Sequence, residues 1–168
     1  MLKGRALKLG DDISTDHIQP GRYSYLRSNL PELARHVLED VDPTFISRVE
    51  KGDFLVAGKN FGLGSSREHA PLIIGLVGVS AVLAKSVARI FFRNAINVGL
   101  PVLICDTDRI SDGDELEIDL AQGTIVDLTN GACLTFNKIP DVMLNILNEG
   151  GLVPYIKKYG DFRIRSSG

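Results

Sequence analysis

The chain has 168 residues, a formal net charge of -2, 44% hydrophobic residues and 24% charged residues. That length suits one hydrophobic core, and so small a charge gives no electrostatic footing for nucleic acid or an acidic membrane surface. Apolar runs such as Leu72 to Val77 fall far short of the roughly 20 residues of a membrane span, and Met1 to Arg5 has no apolar core of signal-peptide length, so a cytoplasmic protein is expected.

Leu2 to Leu9 alternates basic and apolar residues, the pattern of a short strand. Gly10 to His17 follows as a polar loop, and Pro20-Gly21 marks a turn. Pro31 suits the first turn of a helix through Leu33, Ala34, Val37 and Leu38, with Glu32 near its positive end. After a connection over Val49 to Asp53, Phe54 to Ala57 reads as a buried strand. A glycine-rich loop from Gly58 to His69 then leads into a helix that places Pro71 in its first turn and stops near Gly78. Val79 to Ala84 is the next strand, Val87 to Val98 a helix ended by Gly99, and Pro101 to Cys105 another strand.

This strand–helix–strand–helix–strand order predicts parallel pairing with right-handed crossovers. Shorter β segments follow at Glu115 to Leu120, Thr124 to Leu128 and Cys133 to Phe136, turned by Gly123 and Asn130-Gly131. Pro140 to Leu147 and Leu152 to Lys158 read as helices. Residues 1–168 are expected to form one domain, with Arg165 to Gly168 a loose tail. Cys105 and Cys133 belong to no Cys-x-x-Cys pair and are expected to be buried thiols. They are too few to hold an iron–sulfur cluster. Asp112 to Glu115 reads as a turn with solvated charges.

The feature richest in chemistry is Gly62-Leu63-Gly64-Ser65-Ser66-Arg67-Glu68-His69. Glycines let a backbone approach a ligand, a helix start offers unpaired N–H groups, two hydroxyls follow, and the Arg67 fork matches a carboxylate. Neither a P-loop nor a dinucleotide fingerprint is present. Thr15-Asp16-His17 is a second candidate, either a turn with a surface histidine or an acidic group that orients an arginine. Asp16 paired with Arg67 would hold that guanidinium in one rotamer. Arg22-Tyr23-Ser24-Tyr25-Leu26-Arg27 is a third, either a solvated loop or a contact for an organic acid. Arg89 and Arg93 share one helix face, with Asn94 and Asn97 on a neighbouring stripe.

Taken together, Gly10 to Ile18, Lys59 to Ala70, Lys85 to Asn94 and Asn97 to Pro101 resemble the aconitase superfamily, and in particular its stand-alone swivel domain. The resemblance runs from Lys3 to about Gly160. It implies an α/β fold of the swivelling β/β/α type, with a mainly parallel sheet and short added β segments. It implies that no cofactor sits on this chain and that a large partner subunit carries a [4Fe-4S] cluster. The implied activity is that of a hydro-lyase, active only with the large subunit, on a di- or tricarboxylic hydroxy acid. The leading expectation is dehydration and rehydration of 2-isopropylmalate to 3-isopropylmalate in leucine synthesis, with homoaconitate and 2,3-dimethylmalate as alternatives. By the same resemblance Ser65 is the catalytic base, Ser66 and Arg67 bind a substrate carboxylate, and Asp16 with Thr15 orients that arginine. Tyr25-Leu26-Arg27-Ser28 is similar to a loop in homoaconitase small subunits whose arginine takes a further carboxylate, so Arg27 is a candidate substrate ligand. The sequence departs from the superfamily pattern at Gln19, where the motif carries serine.

Overall fold

The computed structural model describes residues 1–160; the tail expected at Arg165 to Gly168 lies outside the described residues. In chain order the elements are β1 (Leu2–Lys8), α1 (Thr15–Ile18), a 3-10 turn (Gly21–Leu26), α2 (Leu30–Ala34), α3 (Phe45–Arg48), β2 (Phe54–Val56), α4 (His69–Leu76), β3 (Ala81–Ala84), α5 (Arg89–Asn97), β4 (Val102–Ile104), a 3-10 turn (Thr107–Arg109), β5 (Glu115–Asp119), β6 (Thr124–Asp127), β7 (Cys133–Thr135), α6 (Asp141–Asn148) and α7 (Leu152–Tyr159). The elements read from the sequence are present, with ends shifted by one or two residues, except that α2 stops at Ala34, four residues short of the expected Leu38. The short α1, α3 and both 3-10 turns carry too few residues to show a periodicity.

All seven strands share one sheet in the order β4-β3-β2-β1-β5-β6-β7. The strands β1 to β4 pair in parallel, as the helical crossovers between them require. On the other edge of β1 the sheet continues as an antiparallel meander through β5, β6 and β7. β1 is therefore the junction, parallel to one neighbour and antiparallel to the other.

Side chains along the parallel strands alternate between two cores, as the pleat dictates. Leu7, Leu55, Val82 and Val102 face one layer with Leu33, Phe45, Ile73, Ile74 and Phe91 from α2 to α5. Ala6, Phe54, Val56, Leu83 and Leu103 face the other, where β5 to β7 supply Leu116, Ile118, Ile125 and Leu134 and the last two helices supply Ile146, Leu147 and Tyr155. Phe54, Leu55 and Val56 are fully buried, which explains why β2 reads as a continuous apolar run. Each such side chain contributes about 1.5–3 kcal/mol by leaving water.

Two expectations need correcting. Cys105 is buried, and burial pushes its thiol up to about 12, but Cys133 is exposed. It lies on the sheet's edge strand, where Leu134 alone turns inward. Asp114 is buried rather than solvated. Its Oδ2 accepts from the Ser111 N–H at 2.9 Å, and it neighbours the fully buried Asp127, whose carboxyl is held above its usual range by burial and by the Asp114 carboxyl. Among the described residues no helix is long and apolar enough to cross a membrane.

Candidate active site

The loops after β1, β2 and β3 extend past the carboxyl ends of their strands and stay bonded to one another. The Asp12 N–H donates to Lys59 O, Gly62 N–H to Ile13 O, Thr15 N–H to Leu63 O, Phe61 N–H to Ser86 O and Ala88 N–H to Phe61 O, all at 2.7–3.0 Å. Asp12 and Asn60 both take positive φ, which short polar side chains tolerate, and the Asn60 amide donates to Asp12 Oδ1 at 2.8 Å. The carboxyl ends of parallel strands are where open α/β sheets hold ligands. Here the loops form a stiff rim.

Gly62 sets the height of this rim. Its φ is +77°, and a Cβ there would lie 2.4 Å from Cγ of Phe91, the ring that Phe61 meets edge-on at 5.1 Å. Gly62→Ala combines overpacking with left-handed strain, so we expect a loss of about 2–4 kcal/mol. Urea unfolding of the purified chain checks this; a change below about 0.5 kcal/mol, the size of an ordinary surface substitution, would mean that the rim yields freely.

Consecutive residues of α1 have separate tasks. The Thr15 hydroxyl donates to the Ser65 carbonyl at 2.6 Å, fixing the loop that carries the two serines. The carboxylate of Asp16 accepts from Arg67 Nη2 at 3.0 Å and, on the same Oδ1, from the Gly21 N–H at 3.0 Å. A Cβ at position 21 would approach Asp16 Oδ1 to 3.3 Å and Arg67 Nη2 to 3.4 Å, so a larger residue there would press on the pair. His17 closes a capping box with Ser14, accepting the Ser14 N–H at Nδ1 (3.0 Å) while the Ser14 hydroxyl accepts the His17 N–H (3.1 Å). The histidine of the Thr-Asp-His motif is thus a structural cap. The Asp16–Arg67 pair anticipated from sequence is present, with the Asp16 side chain 67% exposed. So exposed a pair contributes little stability; what it fixes is the direction of the guanidinium.

Ser65 and Ser66 are exposed. Helix α4 begins at His69, so the serines lie in the loop ahead of it, as the glycine-rich run from Gly58 to His69 predicts. Pro71 does fall in its first turn. The Asn94 amide donates to Ser66 Oγ at 3.4 Å, which ties α5 to the site. Arg67 is one-quarter exposed, and its Nε has no hydrogen-bond partner among the described residues.

A cleft of about 420 Å³ is lined by Gln19, Ser24, Arg27, Ser65, Ser66, Arg67, Glu68 and His69. Arg27 thus shares the cleft with the two serines and Arg67, and its Nε is held by the Ser24 carbonyl at 3.0 Å. Arg22 and Tyr23 do not join it. Arg22 pairs with Asp40 at 2.7 Å and Glu39 at 2.9 Å and lies over Tyr23, which stacks on His36. Beside Ser66 and Arg67 a smaller hollow of about 190 Å³ has an apolar wall of Gly62, Ala88, Ile90 and Phe91, with Thr15, Arg89 and Asn94 also lining it. Gln19, Ser24, Glu68 and His69 are the cleft residues to which sequence reasoning gave no role. They lie in or beside the motifs, but nothing in their type announces where they point. No group of three or more His, Cys, Asp or Glu that could hold a metal occurs among the described residues, and neither cysteine lines the cleft. The residues present do not fit an iron–sulfur cluster on this chain.

The Aconitase C-terminal domain family matches residues 15–106, which run from the start of α1 to just past β4. The 3-isopropylmalate dehydratase small subunit 2 of Archaeoglobus fulgidus is 67% identical over 161 residues, covering 96% of this chain and 98% of that protein. Small subunit 1 of the same enzyme from Thermotoga maritima is 60% identical, over 96% of this chain and 98% of its own length. The crystal structure of 3-isopropylmalate dehydratase from Methanocaldococcus jannaschii superposes with a TM-score of 0.90 at 49% identity, covering 95% of each chain.

Proposed function

The chain belongs to the aconitase family, among the small subunits of 3-isopropylmalate dehydratase, and from that premise we propose that its cleft is the small-subunit half of a hydro-lyase active site for 2-isopropylmalate. The reaction is the elimination of water to isopropylmaleate and its readdition with the hydroxyl on the neighbouring carbon, giving 3-isopropylmalate for leucine synthesis. The observation that carries this reading is the convergence, in one cleft, of Ser65 with an Arg67 aimed by Asp16.

Ser65 removes the proton on the carbon next to a carboxylate. The C–H pair becomes the new double bond as the hydroxyl departs from the adjacent carbon. Ser66 and Arg67 receive a carboxylate, the guanidinium offering paired donors to its two oxygens, while Asp16 with Thr15 holds that arrangement. Arg27 lines the same cleft and would meet a carboxylate at the far end of a longer acid. The hollow walled by Gly62, Ala88, Ile90 and Phe91 suits an isopropyl group, because apolar walls lose nothing by excluding water there. A serine hydroxyl is a poor base in water, and Ser65 is exposed in this chain alone. Closure of a large subunit over the cleft supplies the water-poor setting in which nearby donors stabilise an alkoxide. That subunit carries the [4Fe-4S] cluster in this reading, acting as Lewis acid on the departing hydroxyl. The protein works in the cytoplasm as a single swivel domain, with neither nucleic acid nor membrane as partner.

A second reading is homoaconitate, favoured by Arg27 in the cleft, since a third carboxylate would find a cation there. The test is turnover after anaerobic co-purification with the cognate large subunit, offering isopropylmalate, homoaconitate and 2,3-dimethylmalate in parallel and following the unsaturated acid by absorbance. We expect the highest kcat/KM with isopropylmalate and none from this chain alone. Preference for homoaconitate would make Arg27 the specificity residue, and turnover by the lone chain would overturn the two-subunit reading.

A further inference from the structure

Gln19 stands where the superfamily pattern carries serine, and it is only 3% exposed at the cleft that also holds Ser65 and Arg67. It follows the fully buried Ile18 and precedes Pro20 at the end of α1, and its N–H donates to Thr15 O at 2.8 Å. Its backbone is therefore fixed by the same helix that aims Asp16. Its side-chain Oε1, however, has no hydrogen-bond partner among the described residues. A buried amide oxygen without a donor is unfavourable, and a leucine or methionine of similar size would avoid the penalty. Gln19 lines the cleft, and a small turn of its carboxamide would bring this buried, unpaired acceptor to a donor on a bound ligand.

We propose that Gln19 is a substrate-binding residue whose carboxamide oxygen accepts a hydrogen bond from the hydroxyl of the bound hydroxy acid. This rests on the hydro-lyase reading of the cleft. The carboxylates of such an acid are acceptors at neutral pH and cannot serve Oε1; the hydroxyl is the one donor the substrate class offers. Gln19 consequently distinguishes the hydroxy acid from the unsaturated acid formed when that hydroxyl leaves, and it orients the hydroxyl relative to Ser65. The contrast with Arg67 is direct, since Arg67 meets a carboxylate that both acids possess.

The test compares two affinities. In the assembled two-subunit enzyme carrying Ser65→Ala, calorimetry measures binding of 2-isopropylmalate and, separately, of isopropylmaleate, with Gln19 intact or replaced by leucine. Gln19→Leu is expected to raise the Kd of 2-isopropylmalate about tenfold while moving that of isopropylmaleate less than about twofold. The thermal midpoint of the variant should be equal to or above that of its parent, because the unpaired buried oxygen is gone. Equal weakening of both acids, or of neither, overturns the proposal. Gln19→Met, closer in length and flexibility, gives the same comparison if the leucine variant assembles poorly. Turnover persisting in the Ser65→Ala parent would instead show as continuing reaction heat and would count against the assignment of Ser65, leaving the Gln19 comparison to be read from initial-rate inhibition by isopropylmaleate.

Discussion

Ser65→Ala in the assembled enzyme is expected to lower kcat by about a thousandfold or more, the scale of losing a positioned general base, while leaving the fold and the subunit complex intact. The side chain is exposed and contributes nothing to either hydrophobic layer. The loop's anchor is the Ser65 carbonyl, which the Thr15 hydroxyl holds at 2.6 Å and which alanine retains. The substitution therefore removes one oxygen atom and little else. Co-elution with the large subunit and an unchanged thermal midpoint are the controls, and kcat is the readout. A variant within about tenfold of wild type would mean that the base lies elsewhere, since so small a loss is less than general-base catalysis supplies. His69, on the same cleft, would then be the first residue to test.

Arg67→Lys is expected to raise KM by about ten- to a hundredfold, with a smaller change in kcat, because a planar fork with paired donors is replaced by a point charge. Two features of the site sharpen this beyond the general rule. Asp16 takes Nη2 at 3.0 Å, so the fork is already oriented by one edge and turns the rest toward the cleft. A lysine ammonium would be drawn into the same carboxylate and, having no second edge, would leave the substrate carboxylate without its pair of donors. The Gly21 N–H also donates to Asp16 Oδ1 at 3.0 Å, which keeps the carboxylate in place whichever cation stands at position 67. Steady-state kinetics on the reconstituted enzyme separate the outcomes: an effect confined to kcat would place Arg67 on the transition state alone, and wild-type constants would show that no carboxylate meets it.

Much of this architecture is legible from residue pattern alone. Fully apolar β2, the alternating β1 and the glycines at 78 and 99 announce a strand–helix succession, and a parallel sheet follows from the lengths of the crossovers. The Asp16–Arg67 pair was legible as chemistry, since an acid and an arginine in two motifs of one site have an obvious use for each other. What pattern does not reveal is register between loops. The bonds from Thr15 to Leu63 and from Gly62 to Ile13 join backbone groups, which every residue carries, so their side chains give no sign of them. Arg22 illustrates the opposite limit. Its partners, Glu39 and Asp40, lie 17 and 18 residues away and draw it off the cleft, although its position in an Arg- and Tyr-rich loop suggests a ligand contact. Cys133 and Asp114 were misjudged because residue type gives an average burial, whereas an edge strand and a hydrogen-bonded turn decide the individual case. Gln19 is the most instructive: its polar character suggests exposure, and only the packing of α1 against the core shows it buried.

The most direct test of the claim that this subunit supplies the base is deuterium incorporation in heavy water. The assembled enzyme is incubated with isopropylmalate, and carbon-bound deuterium in the recovered acids is followed by mass spectrometry, for wild type and for Ser65→Ala. Wild type should incorporate solvent deuterium, at the carbon that gave up the proton in recovered 2-isopropylmalate and at the carbon that gave up the hydroxyl in 3-isopropylmalate, and Ser65→Ala should incorporate essentially none although it still binds the acid. Incorporation by Ser65→Ala at a rate close to wild type would show that another group removes the proton, and Ser65 would have to be reassigned to binding alone.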